Sequence, residues 1–201
     1  MHGPLGLFAV PLSPSAGKFP ERLSTMTLAA ESCHVVTFPS PLGWMAIAGR
    51  GELLCQLTLG HASEAAALKS LDREFRRHAG QQPRWIVALM QRLQAYAAGN
   101  RDDFRDVAID LGAASPFRRT VLQCCRRIPY GRTVSYAELA ARAGTPAAAR
   151  AVGNCMAGNR IPLVIPCHRV VRSDGGLGNY SAAGGIQTKR RLLDMELSEL
   201  S

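Results

Sequence analysis

Ile165-Pro166-Cys167-His168-Arg169-Val170 sets a cysteine beside a histidine, behind a rigid proline and among short apolar runs. A thiol reacts as its thiolate, and a nearby base or positive charge raises the thiolate fraction. The dipeptide alone says little, because an isolated cysteine is most often a small buried hydrophobe. Its surroundings say more. The chain carries a net charge of +9, and all of the excess lies between Ser115 and Arg172, where 10 Arg face only Glu138. Met1 to Ala114 holds 11 basic and 10 acidic residues, and Ser173 to Ser201 holds 3 and 4. Charge concentrated in this way attracts a polyanion, and arginine suits bidentate contact with phosphate. An even spread would instead read as a solvated, solubilising surface.

Upstream of Cys167 the chain reads as helices. Ser115-Pro116 places a capping serine before a proline at the first helical position, and Phe117, Val121, Leu122, Cys125 and Ile128 form an apolar stripe. Pro129-Tyr130-Gly131 stops that helix. Ser135 then caps a helix over 136–142, with Glu138 completing a capping box. Ala143-Gly144-Thr145 makes a turn, and Pro146 opens a second helix running to about Met156. Two short helices about a glycine form a helix-turn-helix, a common way to present one helix to DNA. Ala147 to Gly153 has small side chains apart from Arg150 and Val152, which suits either close approach to a groove or tight packing on a neighbour; the local arginine excess favours DNA. Gly158-Asn159 ends the helix, and Ile161 to Ile165 is an apolar crossing segment leading to Cys167. Beyond Val171 come a glycine-rich loop, Gly175 to Ser181, and a last helix from about Gln187 to Leu197. The loop lacks the strand-glycine-helix context of a dinucleotide site and reads better as a wall over a flat ligand.

The first half shows less chemistry. Cys33 to Phe38, Trp44 to Ala48 and Leu53 to Leu59 read as strands, with a Pro41-Leu42-Gly43 turn between the first two. Helical spacing runs through His61 to His78 and through Pro83 to Ala98, and Asp106 to Leu111 reads as a further strand. Residues 1–30, rich in Pro, Gly and Ser, read as a flexible N-terminal extension. The expected architecture is therefore α/β with two domains. Residues 31–112 form a small α/β domain, a three-stranded sheet plus helices; residues 115–201 form a mainly helical domain with the helix-turn-helix.

The six cysteines include no C-x-x-C pair, and the apolar opening Leu5 to Leu12 is short and broken by Pro11. No run approaches membrane-spanning length. The chain reads as a cytoplasmic protein with free thiols and no membrane association.

In combination these residues resemble the O6-alkylguanine-DNA alkyltransferases, also called methylated-DNA–protein-cysteine methyltransferases. The likeness covers roughly Ser115 to Leu197, with a fainter echo in Phe38-Pro39-Ser40-Pro41-Leu42-Gly43. It rests on Pro166-Cys167-His168-Arg169-Val170, preceded by Ser135-Tyr136, Ala149 to Gly153 and Gly158-Asn159, and followed by Gly178-Asn179-Tyr180-Ser181. The resemblance implies single-turnover transfer of an alkyl group from O6-alkylguanine in double-stranded DNA to Cys167 after base flipping, with O4-alkylthymine as a second candidate substrate. It implies a monomer with no cofactor. His168 would take the thiol proton through a bridging water, Glu196 would orient the imidazole, and Asn159 would hold the helix-turn-helix against the active-site segment. Tyr136 would donate to the base ring, Ser181 would meet the guanine oxygen, and the carbonyls of Cys167 and Val170 would receive the exocyclic amine. Tyr180 and Met156 complete the substrate-binding set, and Arg150 would fill the gap left by the extruded nucleotide. Chemistry on a base inside a duplex requires such extrusion, and a wedge offsets part of the lost stacking.

One departure stands out. Ala182-Ala183-Gly184 makes the interval after Tyr180-Ser181 two residues longer than the usual Tyr-Ser-Gly-Gly-Leu spacing. Arg118-Arg119 and Arg126-Arg127 read as phosphate contacts or solvated charge rather than catalytic groups. Some family members hold a structural zinc; Cys33, Cys55, His61 and His78 are ligands of suitable type but lack a close pair, so no metal is expected. The rival readings are a non-catalytic sensor of alkylated DNA, a helix-turn-helix regulator and a cysteine hydrolase. Cys167 beside His168 argues against the first, the unused Pro-Cys-His against the second, and the poor reach between adjacent side chains against the third.

Overall fold

Alternation of side chains along each strand gives the first-half sheet two apolar faces, and each face carries its own helix. The computed structural model describes residues 32–77 and 82–198, so the extension expected over 1–30 lies outside the described residues. Strands β1 (Cys33–Phe38), β2 (Trp44–Arg50) and β3 (Leu53–His61) form an antiparallel sheet in that order. Val35, Ala46, Ala48 and Cys55 face helix α1 (Glu64–Ser70) and a 3-10 turn at Phe75–Arg77. Val36, Ile47, Leu54 and Leu57 face helix α2 (Arg84–Ala97), which contributes Ile86, Leu89, Leu93 and Tyr96. That second core continues without a break into Val121, Ile161, Ile165, Cys167 and Leu192, so the sheet and the Cys167 segment share one apolar interior.

The helix expected over His61 to His78 is shorter. β3 runs on to His61, Ser63 caps α1, and the helix ends at Ser70. There the Gln56 side chain accepts the Asp72 amide at 3.0 Å, diverting a donor that further helix would need. The strand expected over Asp106 to Leu111 is reduced to one parallel bridge, Leu54 to Ile109. It cannot lengthen, because an Asx turn bonds Gly112 N–H to Asp110 at 2.7 Å on one side. Farther along β3, Leu57 N–H is already bonded to the Arg160 carbonyl at 2.9 Å.

Helix α3 (Pro116–Arg126) begins as its sequence dictates, with the Ser115 hydroxyl accepting from Arg118 N–H and Pro116 in the first turn. Ser135 and Glu138 form the expected capping box on α4 (Tyr136–Arg142). Helix α5 (Ala149–Ala157) starts later than Pro146. Thr145 to Ala148 instead closes a β-turn, with Ala148 N–H bonded to the Thr145 carbonyl at 2.9 Å and Pro146 at its second position. One pairing was not visible in the sequence. β4 (Val134–Ser135) and β5 (Val170–Val171) run parallel, fastening the start of the helix-turn-helix to the residues just after Cys167. Helix α6 (Gly185–Ser198) closes the molecule over this pair.

Candidate active site

Two three-residue turns in the apolar segment deliver Cys167. Val164 N–H bonds the Pro162 carbonyl at 2.9 Å across Leu163, and Cys167 N–H bonds the Ile165 carbonyl at 2.7 Å across Pro166. Proline suits the second turn, with φ −77° and ψ 65°. Leu163 sits at φ +68°, a conformation that costs a branched side chain about 1–3 kcal/mol. Burial of Leu163, Val164 and Ile165 holds it there. Cys167 to Arg169 then form a 3-10 turn that runs into β5.

Asn159, just beyond α5, ties that segment to the helix-turn-helix. Its side-chain amide donates to the Ile165 carbonyl at 2.8 Å and to Cys167 Sγ at 3.1 Å, while its Oδ1 accepts from Ile161 N–H at 3.1 Å. The thiol is only 3% exposed. Burial pushes its pKa above the ordinary value, and the Asn159 amide, the Lys189 ammonium and the backbone N–H groups of Cys167 and His168 offset this in part. At rest the group is a thiol, and its chemistry needs a base.

Next to it in the chain, His168 is fully buried and held by a cluster of ions. Its Nε2 lies 2.8 Å from Glu196 Oε1. The Glu196 carboxylate also accepts from Arg169 Nε at 3.0 Å, Arg169 Nη2 at 2.8 Å, the Tyr96 hydroxyl at 2.5 Å and Gly131 N–H at 2.9 Å. Although burial works to raise it, bonds from His168 and Arg169 hold its pKa well below the carboxylate range. Burial pushes His168 below its ordinary value despite the opposing pull of Glu196. A neutral imidazole facing an ionised carboxylate carries its proton on Nε2. Nδ1 is therefore the free lone pair, and among the described residues it has no hydrogen-bond partner.

The structure thus bonds Asn159 to Cys167 and Glu196 to His168, and the two pairs meet at the 167–168 peptide. Tyr136 heads α4, half-buried, with Gly178 so close that a Cβ there would lie 2.8 Å from the Tyr136 hydroxyl. Burial raises the Tyr136 pKa and keeps the phenol protonated. The Tyr180 hydroxyl is buried without a hydrogen-bond partner among the described residues. Val170 and Met156 are buried, whereas Arg150 is exposed at the start of α5 and Ser181 is exposed at the edge of a groove. Arg118 and Arg126 turn out to bond backbone carbonyls, of Gly158 and of Phe104, Arg105 and Val107 respectively, so they are structural clasps rather than free charge.

Three contributors escaped the sequence reading. Arg169 was read only as part of the motif, yet it is 2% exposed and also donates to the Ile128 carbonyl at 2.7 Å. Tyr96 belongs to the apolar stripe of α2, and nothing in that spacing separates it from core. Lys189 was findable: it shares with Leu192, Leu193 and Glu196 the buried face of α6, at helical spacing. Its ammonium donates to the Val170 carbonyl at 2.5 Å, and burial lowers its pKa to about 8. That carbonyl, expected to receive the base's amine, keeps one lone pair for it. Cys33, Cys55 and His61 lie on the sheet and His78 lies outside the described residues. Among the described residues no three His, Cys, Asp or Glu side chains cluster to hold a metal.

A thiol clasped by an amide and a buried imidazole–carboxylate pair thus share one interior with a helix-turn-helix. The family described as 6-O-methylguanine DNA methyltransferase, DNA binding domain, matches residues 116–198. The methylated-DNA–protein-cysteine methyltransferase of Mycobacterium bovis is 38% identical over 165 residues, 82% of this chain and 93% of that protein. The mouse protein of the same name is 54% identical over 81 residues, 40% of this chain and 38% of its own. The crystal structure of Mycobacterium tuberculosis OGT in complex with DNA superposes with a TM-score of 0.68 at 38% identity, covering 82% of this chain and 93% of that one. The chain belongs to the methylated-DNA–protein-cysteine methyltransferase family.

Proposed function

We propose that this protein repairs DNA directly, moving the alkyl group of O6-alkylguanine in a duplex onto its own Cys167, once per molecule. The observation that carries the reading is the buried Cys167 thiol, bonded by Asn159 and followed in the chain by an imidazole that Glu196 holds with Nδ1 free. The thiol proton passes to His168 Nδ1 through a bridging water. The thiolate then attacks the alkyl carbon, a carbon–sulfur bond forms, and the carbon–O6 bond breaks with its electron pair going to guanine. Tyr136 supplies a proton to the base ring, which makes guanine a better leaving group. The thioether has no hydrolytic exit, so each protein reacts once.

The base reaches the thiol only after leaving the stack. Exposed Arg150 fills the vacated space, and small residues at the start of α5 allow close approach to the minor groove. Tyr180, Ser181, Met156, Val170 and the Cys167 carbonyl form the pocket. Residues 31–112 and 115–201 act as two domains across one shared core, with O4-alkylthymine a further substrate. The protein works as a monomer in the cytoplasm; among the described residues no helix is long and apolar enough to cross a membrane.

The test is intact-protein mass after incubation with a duplex carrying one O6-methylguanine. A gain of about one methyl group, mapped to Cys167 and absent in Cys167→Ser, is the expected result. Tight binding without a mass change would make the protein a lesion sensor instead.

A further inference from the structure

The stretch that departs from the family's spacing, Ala182-Ala183-Gly184, is a built turn. Gly185 N–H bonds the Ala182 carbonyl at 3.0 Å, and Gly184 takes φ +79° at the third position, as a type II turn requires. From the α6 side, the Thr188 hydroxyl donates to the Ala183 carbonyl at 2.6 Å. The same carbonyl rests on the far end of β3, where a Cβ on Gly60 would lie 2.7 Å from it. Gly60 itself has φ +83° and is backed by Gly43, whose own Cβ would lie 3.1 Å from the Gly60 carbonyl carbon. The β1–β2 turn, β3 and the extra turn are thus stacked backbone on backbone.

Beside this stack runs a groove of about 320 Å³. Thr58 and His61 of β3 form one wall, Ser181 to Ala183 the other, and Asn159 and Pro162 contribute to its lining. Asn159 also bonds Cys167 Sγ, so the groove and the thiol share a residue. The distance between its walls is set where Ala183 meets Gly60.

We propose that Gly60 is a specificity-determining residue: it seats the Ala182–Gly184 turn against β3, fixes the width of the groove, and so limits the size of the O6 substituent accepted. The inference rests on the alkyl-transfer reading above. A side chain at Gly60 forces the Ala183 carbonyl away from β3 and opens the groove. Pockets discriminate by about 10-fold or more per methylene-sized change, so the effect is large enough to read.

The experiment compares wild type, Gly60→Val and Thr188→Val, the last loosening the turn from its other side without adding bulk to the sheet. Transfer rates are measured from duplexes carrying O6-benzylguanine and O6-methylguanine, with amide exchange of residues 181–188 followed in parallel. The expected result is faster exchange and a benzyl-to-methyl rate ratio raised about 10-fold, a selectivity change that general destabilisation does not produce. A ratio within about twofold of wild type in the folded variants overturns the inference while leaving alkyl transfer standing. If Gly60→Val does not fold, Thr188→Val decides. If wild type accepts neither alkyl group, the alkyl-transfer reading falls and takes the specificity claim with it, whatever the exchange data show about the seat.

Discussion

Glu196→Gln isolates the charge at the centre of the site. The carboxylate has zero exposure and accepts hydrogen bonds from Arg169, His168, Tyr96 and Gly131. Glutamine keeps the shape but leaves the Arg169 guanidinium, 2% exposed, without its main counter-charge. Breaking a buried pair from one side costs about 3–5 kcal/mol, and the bonds from Arg169 to the Ile128 carbonyl and to Asp103 put this case at the lower end. The loss should depend on pH. Because the folded-state pKa of Glu196 is depressed, its stabilisation is complete above its ordinary value of 4.5 and fades as pH falls through the folded value. Catalysis suffers separately: the glutamine amide can donate to His168 Nε2, shifting the imidazole proton to Nδ1 and removing the base. General-base catalysis is worth about 10²–10⁴-fold, and a loss in that range is expected. Urea unfolding at pH 7 and at pH 3.5, with single-turnover transfer rates at pH 7, reads both effects. A stability loss under about 1 kcal/mol at pH 7, or an unchanged transfer rate, would refute the account of this cluster.

Other expected outcomes follow from individual contacts. Asn159→Ala leaves the buried Ile161 N–H without its partner and takes one of two donors from the Ile165 carbonyl, costing about 1–3 kcal/mol in urea unfolding; it also removes a donor to Sγ, so a thiolate absorbance titration should place Cys167 higher than in wild type. Arg150→Ala, at an exposed position, should leave stability within about 0.5 kcal/mol while slowing transfer from duplex DNA more than transfer from free O6-benzylguanine; equal slowing would contradict the wedge role. Lys189 has its pKa lowered from 10.5 to about 8, so the unfolded chain binds the extra proton and wild-type stability should rise between those pH values. Lys189→Met should flatten that rise, by at most about 3 kcal/mol, in denaturant midpoints collected across the window.

The second half of the molecule was largely legible because its signals are local. Ser115-Pro116 and Ser135 with Glu138 dictate helix starts through caps that reach only three residues, and both appear as expected. Pro146 misled because proline suits the second position of a turn as well as the first of a helix, and the Thr145–Ala148 bond chose the turn. Long-range pairing was invisible: the β4–β5 ladder joins residues 36 apart in the chain, and each strand has only two residues. Within the site, Glu196 could be aligned through the family's spacing, and it lies 2.8 Å from His168 Nε2. The opposite charge, Arg169, lay in plain view beside His168, but an arginine inside a basic segment gives no sign that it is buried. Contacts from Glu196, Ile128 and Asp103, and the Tyr130 ring 5.6 Å from the guanidinium, account for its position.

The Tyr96–Glu196 bond spans 100 residues, and the Glu196 contacts to Gly131 and Arg169 span 65 and 27. During synthesis Tyr96, Gly131 and Arg169 all leave the ribosome before the residue that joins them. Until Glu196 follows, the Arg169 guanidinium has no carboxylate on α6 to enter the core with, and His168 has nothing to fix its tautomer. The ion cluster beside the thiol is therefore complete only once α6 has docked.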